Sequence, residues 1–82
     1  MYFVYILYSE KCGRHYVGYA ADVDARLSRH NAGYVTATRN CRPYVLRGFK
    51  AFTAEQEAIA EERRIKKMKS SKYILWLLAG NW

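Results

Sequence analysis

The chain opens with an unbroken run of aromatic and aliphatic residues, YFVYILY at positions 2–8. These residue types favour the extended backbone of a β-strand. The polar stretch SEKCGR follows at positions 9–14, and its Gly13 suits a hairpin loop. Positions 15–20, HYVGYA, predict a second strand, in which Gly18 would allow a partner or ligand to approach the backbone closely. The chain therefore begins with a predicted β-hairpin.

Helices and one further strand are predicted after the hairpin. Asp22 suits a helix cap, and the first helix is expected to run to about Ala32, with Gly33 as its stop signal. The polar, turn-rich positions 34–43 predict a loop, and positions 44–52 predict a third strand.

Two more helices are predicted in the remainder of the chain. Thr53 and Gln56 form a T-x-x-Q capping box, which opens a helix through about Met68. Ser70 or Ser71 can cap a short final helix over YILWLLA. The resulting order, β-β-α-β-α-α, predicts an α+β fold with a small, mainly antiparallel three-stranded sheet flanked by helices.

Positive charge dominates the composition. The chain carries 14 Lys and Arg residues against 7 Asp and Glu, a formal net charge of +7. Its 82 residues leave room for a single domain, 1–82, with one modest core. So large an excess on so small a body favours an anionic polymer as the partner, with nucleic acid ahead of a membrane surface. The competing interpretation is a basic surface that serves only solubility.

The expected location follows from what the sequence lacks. The longest apolar stretch, positions 73–79, is far too short to span a bilayer. The N-terminus has neither the charged region nor the cleavage site of a signal peptide. Cys12 and Cys41 suggest neither a disulfide framework nor a zinc site, so they are predicted to be free thiols in a reducing compartment. We therefore expect a cytoplasmic protein.

The hairpin carries candidate chemistry in its tyrosines. Side chains alternate between the two faces of a strand, so Phe3, Tyr5 and Leu7 share one face. A tyrosine brings a hydroxyl that must find a partner or reach water. Tyr5 and Tyr16, one in each strand, can present their hydroxyls at one end of a shared surface. For any single tyrosine, packing at the rim of the core is the competing interpretation.

The first predicted helix places two further candidates together. Val23 and Leu27 are spaced i, i+4 and are expected to dock on the sheet. Arg26 and His30 have the same spacing and project together from the neighbouring face. An arginine matches a phosphate with a planar fork of donors, and a histidine titrates near neutrality. Such a pair can clamp a phosphate and move a proton, although it can equally form a solvated face.

Two adjacent carboxylates stand out on the second predicted helix. Its apolar stripe is expected to comprise Ala54, Ala58, Ile65 and Met68. Glu61 and Glu62 flank that stripe on opposite sides, so either can sit at the edge of the core and bind a metal or a cationic side chain. The periodicity does not choose between them. The competing interpretation is an exposed glutamate, with Glu62 paired to Lys66 one turn later.

Basic residues cluster in the second half of the chain. They comprise Arg39, Arg42, Arg47, Lys66, Lys67, Lys69 and Lys72. Such residues commonly make non-specific contacts with phosphates, and the competing interpretation is a solubilising surface. The C-terminal positions 73–82 are more apolar than a lone surface helix requires. They are expected either to complete the core or to form a dimer contact.

The order and spacing of these elements resemble a known family. Val4-Tyr5-Ile6 and Tyr16-Val17-Gly18 are similar to the paired tripeptides that name the GIY-YIG nuclease superfamily. The helix with Arg26 and His30, the following Asn31-Ala32-Gly33, Arg42-Pro43, and Glu62 ahead of Ile65-Lys66-Lys67 resemble its remaining motifs. The closing KSSKYI resembles small stand-alone bacterial members related to the N-terminal domain of excinuclease C and to structure-specific endonucleases.

The resemblance implies a role for each candidate residue. Tyr16 would hold the attacking water as general base or proton relay, assisted by His30. Tyr5 would position the water or the phosphate, and Arg26 would neutralise charge on the phosphoryl oxygens. Glu62 would be the single protein ligand of a divalent cation, Mg²⁺ with Mn²⁺ as the alternative. The resemblance thus selects Glu62 from the acidic pair.

Three hypotheses of function result. The leading one is a metal-dependent endonuclease that acts on DNA, with branched or damaged DNA and DNA repair as its candidate context. Arg39, Arg42, Lys66, Lys67 and Lys69 are the candidate nucleic-acid-binding residues. The alternatives are a nucleic-acid-binding module of the same fold without turnover and an adaptor that dimerises through its C-terminal aromatic segment. A monomer or weak homodimer is expected, with no small-molecule cofactor and no membrane partner.

Overall fold

The apolar run that begins the chain forms the central strand of the sheet. In a computed structural model that describes residues 1–82, β1 spans Tyr2–Ser9 and pairs antiparallel with both other strands. These are β2, Arg14–Ala20, and β3, Val45–Phe52, in the order β2-β1-β3. Val4–Leu7 are at most 1% exposed. A strand that is paired at both edges and covered on both faces leaves no position for a solvated side chain, which explains its composition.

Three helices flank the sheet, so the predicted order β-β-α-β-α-α and the α+β class are confirmed. Helix α1 spans Val23–Asn31 and α2 spans Glu55–Met68. Helix α3 spans Ser71–Trp76 and continues as a π-helical turn, Leu77–Asn81. A single 3₁₀ turn, Arg39–Cys41, precedes β3. None of the helices combines the length and the apolar character needed to cross a bilayer.

The two faces of the sheet have different contents. Val4 and Ile6 point to the face covered by α2 and the C-terminal segment, where they pack in an aliphatic core with Val17, Ala58, Ile65 and Leu77. Tyr5 and Leu7 point to the opposite face, where they pack with Ala20 and Tyr44. Val23 and Leu27 of α1 dock against this second cluster, as their spacing predicted. The second face is therefore the one that contains buried hydroxyl groups.

The N-terminus of α2 lies slightly later than predicted. Ala54, which has no capping side chain, occupies the position before the helix. The carboxylate of Glu57 instead accepts hydrogen bonds from the Ala54 amide at 3.2 Å and the Thr53 hydroxyl at 3.3 Å. Glu57 replaces Gln56 in this role because a helix that begins at Glu55 places Glu57, not Gln56, in the third position, where a side chain reaches back.

The apolar stripe of α2 is shorter than predicted. Ala58 and Ile65 are buried, but Met68 is 51% exposed and Ala54 is also exposed. Met68 is the last residue of α2, and Lys69 then adopts a left-handed conformation with φ of 47°. The helix therefore ends, and the chain turns away, at the point where Met68 would have reached the core.

The C-terminal segment completes the core, which decides between the two predicted alternatives for its apolar residues. Leu77 is 3% exposed and joins the aliphatic core. Ile74, Leu78 and Trp82 pack against the same core.

The prediction of free thiols is wrong. Cys12 and Cys41 form a disulfide with Cα atoms 5.5 Å apart, although 29 positions separate them in sequence. Folding brings the hairpin loop against the 3₁₀ turn, where the Ser9 hydroxyl bonds the Cys41 carbonyl and accepts from the Cys12 amide at 3.1 Å. Two cysteines without a spacing pattern could not reveal this meeting of distant segments. The compartment inferred from free thiols loses that support.

Reduction of this disulfide is expected to destabilise the protein. The bond closes a long loop, and opening it enlarges the unfolded ensemble by an amount worth about 2–4 kcal/mol. Urea unfolding with and without a reductant measures the difference in free energy of unfolding. A Cys12→Ser/Cys41→Ser variant should match the reduced protein and ignore the reductant. Equal stability of the oxidised and reduced protein would contradict the expectation.

Candidate active site

A tyrosine side chain crosses the second strand at a glycine. Tyr5 of β1 stands directly opposite Gly18 of β2. A Cβ atom at Gly18 would collide with the Tyr5 hydroxyl, would lie 2.6 Å from its Cζ, and would come within 3.2 Å of Tyr16 Cε2. The close approach that the sequence predicted at Gly18 is therefore made by the phenol of Tyr5, and glycine is required because no other residue leaves room for it.

The Tyr5 hydroxyl ends at a buried histidine. Its oxygen lies 3.0 Å from Nε2 of His30, and His30 is 1% exposed. The other ring nitrogen, Nδ1, lies 2.7 Å from the Thr38 hydroxyl, and that hydroxyl has a second partner in the Val35 carbonyl at 3.4 Å. Both nitrogens of His30 are thus occupied by hydroxyl groups from other parts of the chain.

The charges around this bond favour neutral partners. Burial, with a smaller effect of Tyr16, raises the pKa of Tyr5 to about 12, so its hydroxyl keeps its proton. Burial lowers the pKa of His30 below its usual value, and the positive charges of Arg26 and Arg29 lower it further. We assign the protons from these partners: Tyr5 donates to Nε2, Nδ1–H donates to Thr38, and Thr38 donates to the Val35 carbonyl.

The loop that carries Thr38 is fixed at both ends. The Asn31 side chain accepts from the Tyr44 amide at 2.7 Å and donates to the Tyr44 carbonyl at 3.0 Å. Arg39 Nε donates to the Gly33 carbonyl at 3.1 Å. The Arg42 guanidinium lies against Gly33, which has φ of +85° and no room for a side chain. These contacts give both arginines a structural role, and their contact with nucleic acid stays a prediction.

Tyr16 lies on the same face with its hydroxyl unengaged. Its ring meets the His30 ring edge-on, with centroids 4.9 Å apart and planes at 60°. Its hydroxyl makes no hydrogen bond within the chain. The Lys66 ammonium lies 5.3 Å from the Tyr16 ring centroid, a cation–π distance. The packing therefore orients the Tyr16 ring and leaves its oxygen available to solvent.

Arg26 contributes a free positive charge. It lies one turn before His30 on α1, which Asp22 caps by accepting from the Ala25 amide at 3.0 Å. The Arg26 side chain is exposed and makes no ion pair. It is close enough to Tyr5 to oppose the rise in the pKa of that hydroxyl. An unpaired guanidinium beside two buried rings is suited to bind an anion.

The structure separates the two candidate glutamates. Glu61 accepts from Arg64 Nε at 2.8 Å and Nη2 at 2.7 Å, and its carboxylate also accepts from the Trp82 indole at 2.8 Å. The Arg64 hydrogen bonds lower the pKa of Glu61. Glu62 has a single partner, Lys66, at 3.6 Å. Glu61 is thus committed to anchoring the C-terminal segment, which leaves Glu62 as the available carboxylate.

The donor set fits a metal ion that retains most of its water. No group of three or more His, Cys, Asp or Glu side chains comes together in the chain, so there is no closed protein cage. The Glu62 side chain is 17% exposed and offers one carboxylate at the edge of the site. Mg²⁺ commonly binds through one or two carboxylates and keeps several waters. A single-carboxylate Mg²⁺ site at Glu62 therefore suits this arrangement.

The candidate residues come together from both faces of the sheet. Tyr5, Tyr16 and His30 are in direct contact on the α1 face. Helix α2 packs on the other face, and Lys66 extends round the free edge of β2 to reach Tyr16 and Glu62. Lys67 is exposed and outside this cluster.

Sequence reasoning missed two members of the site. Thr38 fixes His30, but nothing in the turn-rich loop marks it as different from its neighbours. Glu55 accepts from the Tyr19 hydroxyl at 3.3 Å, across a distance in sequence that no local pattern spans. Tyr19 stands where the resemblance expects a basic residue in many members.

Residues 1–74 match the family model of the GIY-YIG catalytic domain. A UPF0213 protein of Halobacterium salinarum is 38% identical to this chain over 69 residues, which is 83% of this chain and 88% of the relative. A UPF0213 protein of Staphylococcus epidermidis is 41% identical over 68 residues, 79% of each chain. The solution NMR structure of a UPF0213 protein from Bacillus halodurans has a TM-score of 0.60 at 33% identity, covering 96% of this chain and 84% of the relative.

Substitution of Gly18 by alanine is expected to break the Tyr5–His30 bond. The new methyl group would displace the Tyr5 phenol, because two backbones held in a sheet cannot separate to admit it. Imidazole NMR of His30 should show the loss of the Nε2 partner. Gly48→Ala is the matched control, since its Cβ would meet only the end of the Leu78 side chain, at 2.7 Å, far from His30. An unchanged His30 spectrum in Gly18→Ala would contradict the assignment.

Substitution of Thr38 by valine is expected to leave His30 Nδ1 without a partner. An unsatisfied buried group of this kind reduces the free energy of unfolding by about 1–3 kcal/mol. The ¹⁵N shifts of the His30 ring should also change, because Thr38 fixes the tautomer. Thr36→Val, an identical change at an exposed position of the same loop, should alter neither quantity. Equal stability of the two variants would show that the hydrogen bond does not hold His30.

Proposed function

The chain belongs to the GIY-YIG family, and from that membership we propose that it is a metal-dependent endonuclease that hydrolyses phosphodiester bonds in DNA. The observation that carries the proposal is the contact of Tyr5, Tyr16 and His30 around Gly18, with the unpaired Arg26 beside them. Hydrolysis of a phosphodiester needs an oriented water, an acceptor for its proton, and positive charge around the phosphoryl oxygens. Each requirement has a candidate group in this cluster.

Tyr16 is proposed to orient the attacking water. Its ring is held between His30 and Lys66, while its hydroxyl has no partner in the chain. A fixed oxygen without an internal partner can accept a hydrogen bond from a water and hold it against the phosphorus atom. Positioning of this kind contributes because the water then attacks from a set direction.

Tyr5 and His30 are proposed to take the proton of that water together. Both nitrogens of His30 are engaged, so His30 has no direct path to Tyr16, and the hydrogen bonds favour a relay through Tyr5. As the water oxygen bonds to phosphorus, its proton passes to the Tyr5 oxygen, and the Tyr5 proton passes to His30 Nε2. The leaving oxygen takes a proton from solvent. A bound phosphate would offset the positive charge of Arg26 that lowers the His30 pKa.

Arg26 is proposed to bind the phosphoryl oxygens. Its charge is not neutralised by any carboxylate of the chain, and its position one turn before His30 aims it at the same space. Negative charge on these oxygens increases in the transition state, so a preorganised donor lowers the barrier more than it strengthens ground-state binding. Loss of one such donor typically reduces the rate by a factor of about 10²–10³.

Glu62 is the residue that would hold a divalent cation, Mg²⁺ or Mn²⁺. When bound there, the ion would supply positive charge for the leaving oxygen. The protein's own contribution is to fix the carboxylate, which α2 does by burying Ile65 three positions later on the neighbouring side of the helix. Repair-related or structure-specific cleavage would follow from how DNA is presented to this site.

One observation favours a second function, a nucleic-acid-binding module without turnover. The Glu62 carboxylate already has a cationic partner in Lys66, at 3.6 Å. An ion pair at the metal position would preserve the basic surface while reducing the affinity for a divalent ion. The two functions differ in whether added metal produces cleavage.

The neighbouring glutamates provide the test of the leading proposal. Glu62→Gln should reduce cleavage of plasmid and branched DNA by about 10²-fold or more, in line with the loss of a site for charge stabilisation. Glu61→Gln is the matched control and should retain wild-type cleavage, because it changes a carboxylate bound to Arg64 and Trp82. EDTA should abolish cleavage by both proteins.

Two outcomes would contradict the proposal. Cleavage that survives EDTA and Glu62→Gln would exclude the metal role of this residue. An absence of cleavage with Mg²⁺ or Mn²⁺ on plasmid, single-stranded and branched DNA, together with salt-dependent binding, would favour the binding module instead.

A further inference from the structure

A groove of about 380 Å³ lies beside the reactive cluster, along the free edge of β2. Strand β2 is an outer strand of the sheet, and the junction of α2 and α3 forms the opposite wall. Val17, Ile65 and Ile74 make an apolar floor, and Tyr16 stands in the wall. Tyr16 therefore belongs both to the reactive cluster and to this groove.

The remaining wall is cationic. Arg14, Lys66 and Lys69 line it, and no carboxylate does. Lys66 pairs with Glu62 at 3.6 Å, whereas Arg14 and Lys69 make no ion pair in the chain. Lys69 is held in place by its left-handed conformation at the end of α2, a position where glycine is the usual choice. The groove thus has two uncommitted positive charges next to Tyr16.

We propose that this groove binds the sugar–phosphate backbone of the cleaved DNA strand, immediately beside the scissile phosphate. The inference rests on the proposed endonuclease function and specifies how that site holds its substrate. Arg14 and Tyr16 are two residues apart in β2, about 7 Å along the strand. Successive phosphates of one DNA strand advance about 3.4 Å along the helix axis. With the scissile phosphate at Tyr16, Arg14 therefore reaches a phosphate one or two nucleotides away.

The groove is suited to phosphates rather than bases. Its polar groups are cations and the hydroxyls of Ser70 and Ser71, and Ser70 is already engaged because it accepts from the Tyr73 amide at 3.1 Å. The outer edge of β2 adds backbone N–H groups that have no partner strand. Such donors contact phosphate oxygens without reading sequence. Binding in the groove is accordingly independent of base sequence and sensitive to salt.

Binding measured without cleavage tests the groove. In a Glu62→Gln background with EDTA, fluorescence anisotropy is recorded for labelled single-stranded, duplex and branched DNA of two unrelated sequences, from about 50 to about 200 mM salt. Arg14→Ala and Lys69→Ala should each weaken binding about fivefold on both sequences and reduce the slope of log affinity against log salt by about 0.7–0.9. Comparison of the three DNA forms identifies which one supplies the strand in the groove.

Arg63→Ala is the matched control, because it removes one exposed charge of α2 that does not line the groove. Its slope should stay at the Glu62→Gln value, and thermal melts should verify that every variant is folded. Equal effects of the three substitutions, or no salt-dependent binding at all, would overturn the groove. Cleavage by the wild-type protein is scored separately: active protein with unaffected groove variants refutes only the groove, and inactive protein with weakened groove variants refutes only the nuclease.

Discussion

The organisation of the α1 face depends on one buried hydrogen bond, between the Tyr5 hydroxyl and His30 Nε2. A phenol and an imidazole removed from water are stable only when each polar atom has a partner. The chain meets this requirement fully, since no buried side-chain nitrogen or oxygen is left without a hydrogen bond. Gly18 provides the space for the phenol, and Thr38 provides the second partner of the imidazole. Residues from β1, β2, α1 and the following loop are thereby fixed relative to one another.

The two faces of the sheet divide stability from chemistry. The face under α2 is aliphatic and needs only close packing to be stable. The face under α1 contains hydroxyl groups and an imidazole, so its stability also requires correct hydrogen-bond geometry. The disulfide, the Ser9 contacts and the Asn31 clamp on Tyr44 all act on this face, where they hold the loop of Thr38 in place. The covalent and polar restraints are concentrated where precision matters for function.

The sequence predicted those features that depend on neighbours in the chain. The strand composition of positions 2–8, the cap at Asp22 and the i, i+4 pair of Arg26 and His30 are local, and each is found in the structure. Tertiary partners were beyond reach. Helical periodicity placed Glu61 and Glu62 equally well, and only the return of Trp82 to Glu61 separates them. The same holds for the disulfide, because its two cysteines meet through the fold and not through any spacing.

The free edge of β2 explains why positive charge alone is a weak indicator of function in this chain. An unpaired edge strand invites association with another strand, and charged side chains along it prevent that association. Arg14, Lys66 and Lys69 would be useful there even in a protein that never met DNA. What distinguishes this edge is Tyr16, because its ring packs on His30 from one face while Lys66 covers it from the other. The cations acquire a specific meaning from that contact: they border a tyrosine whose hydroxyl is unpaired and whose neighbours form a proton relay.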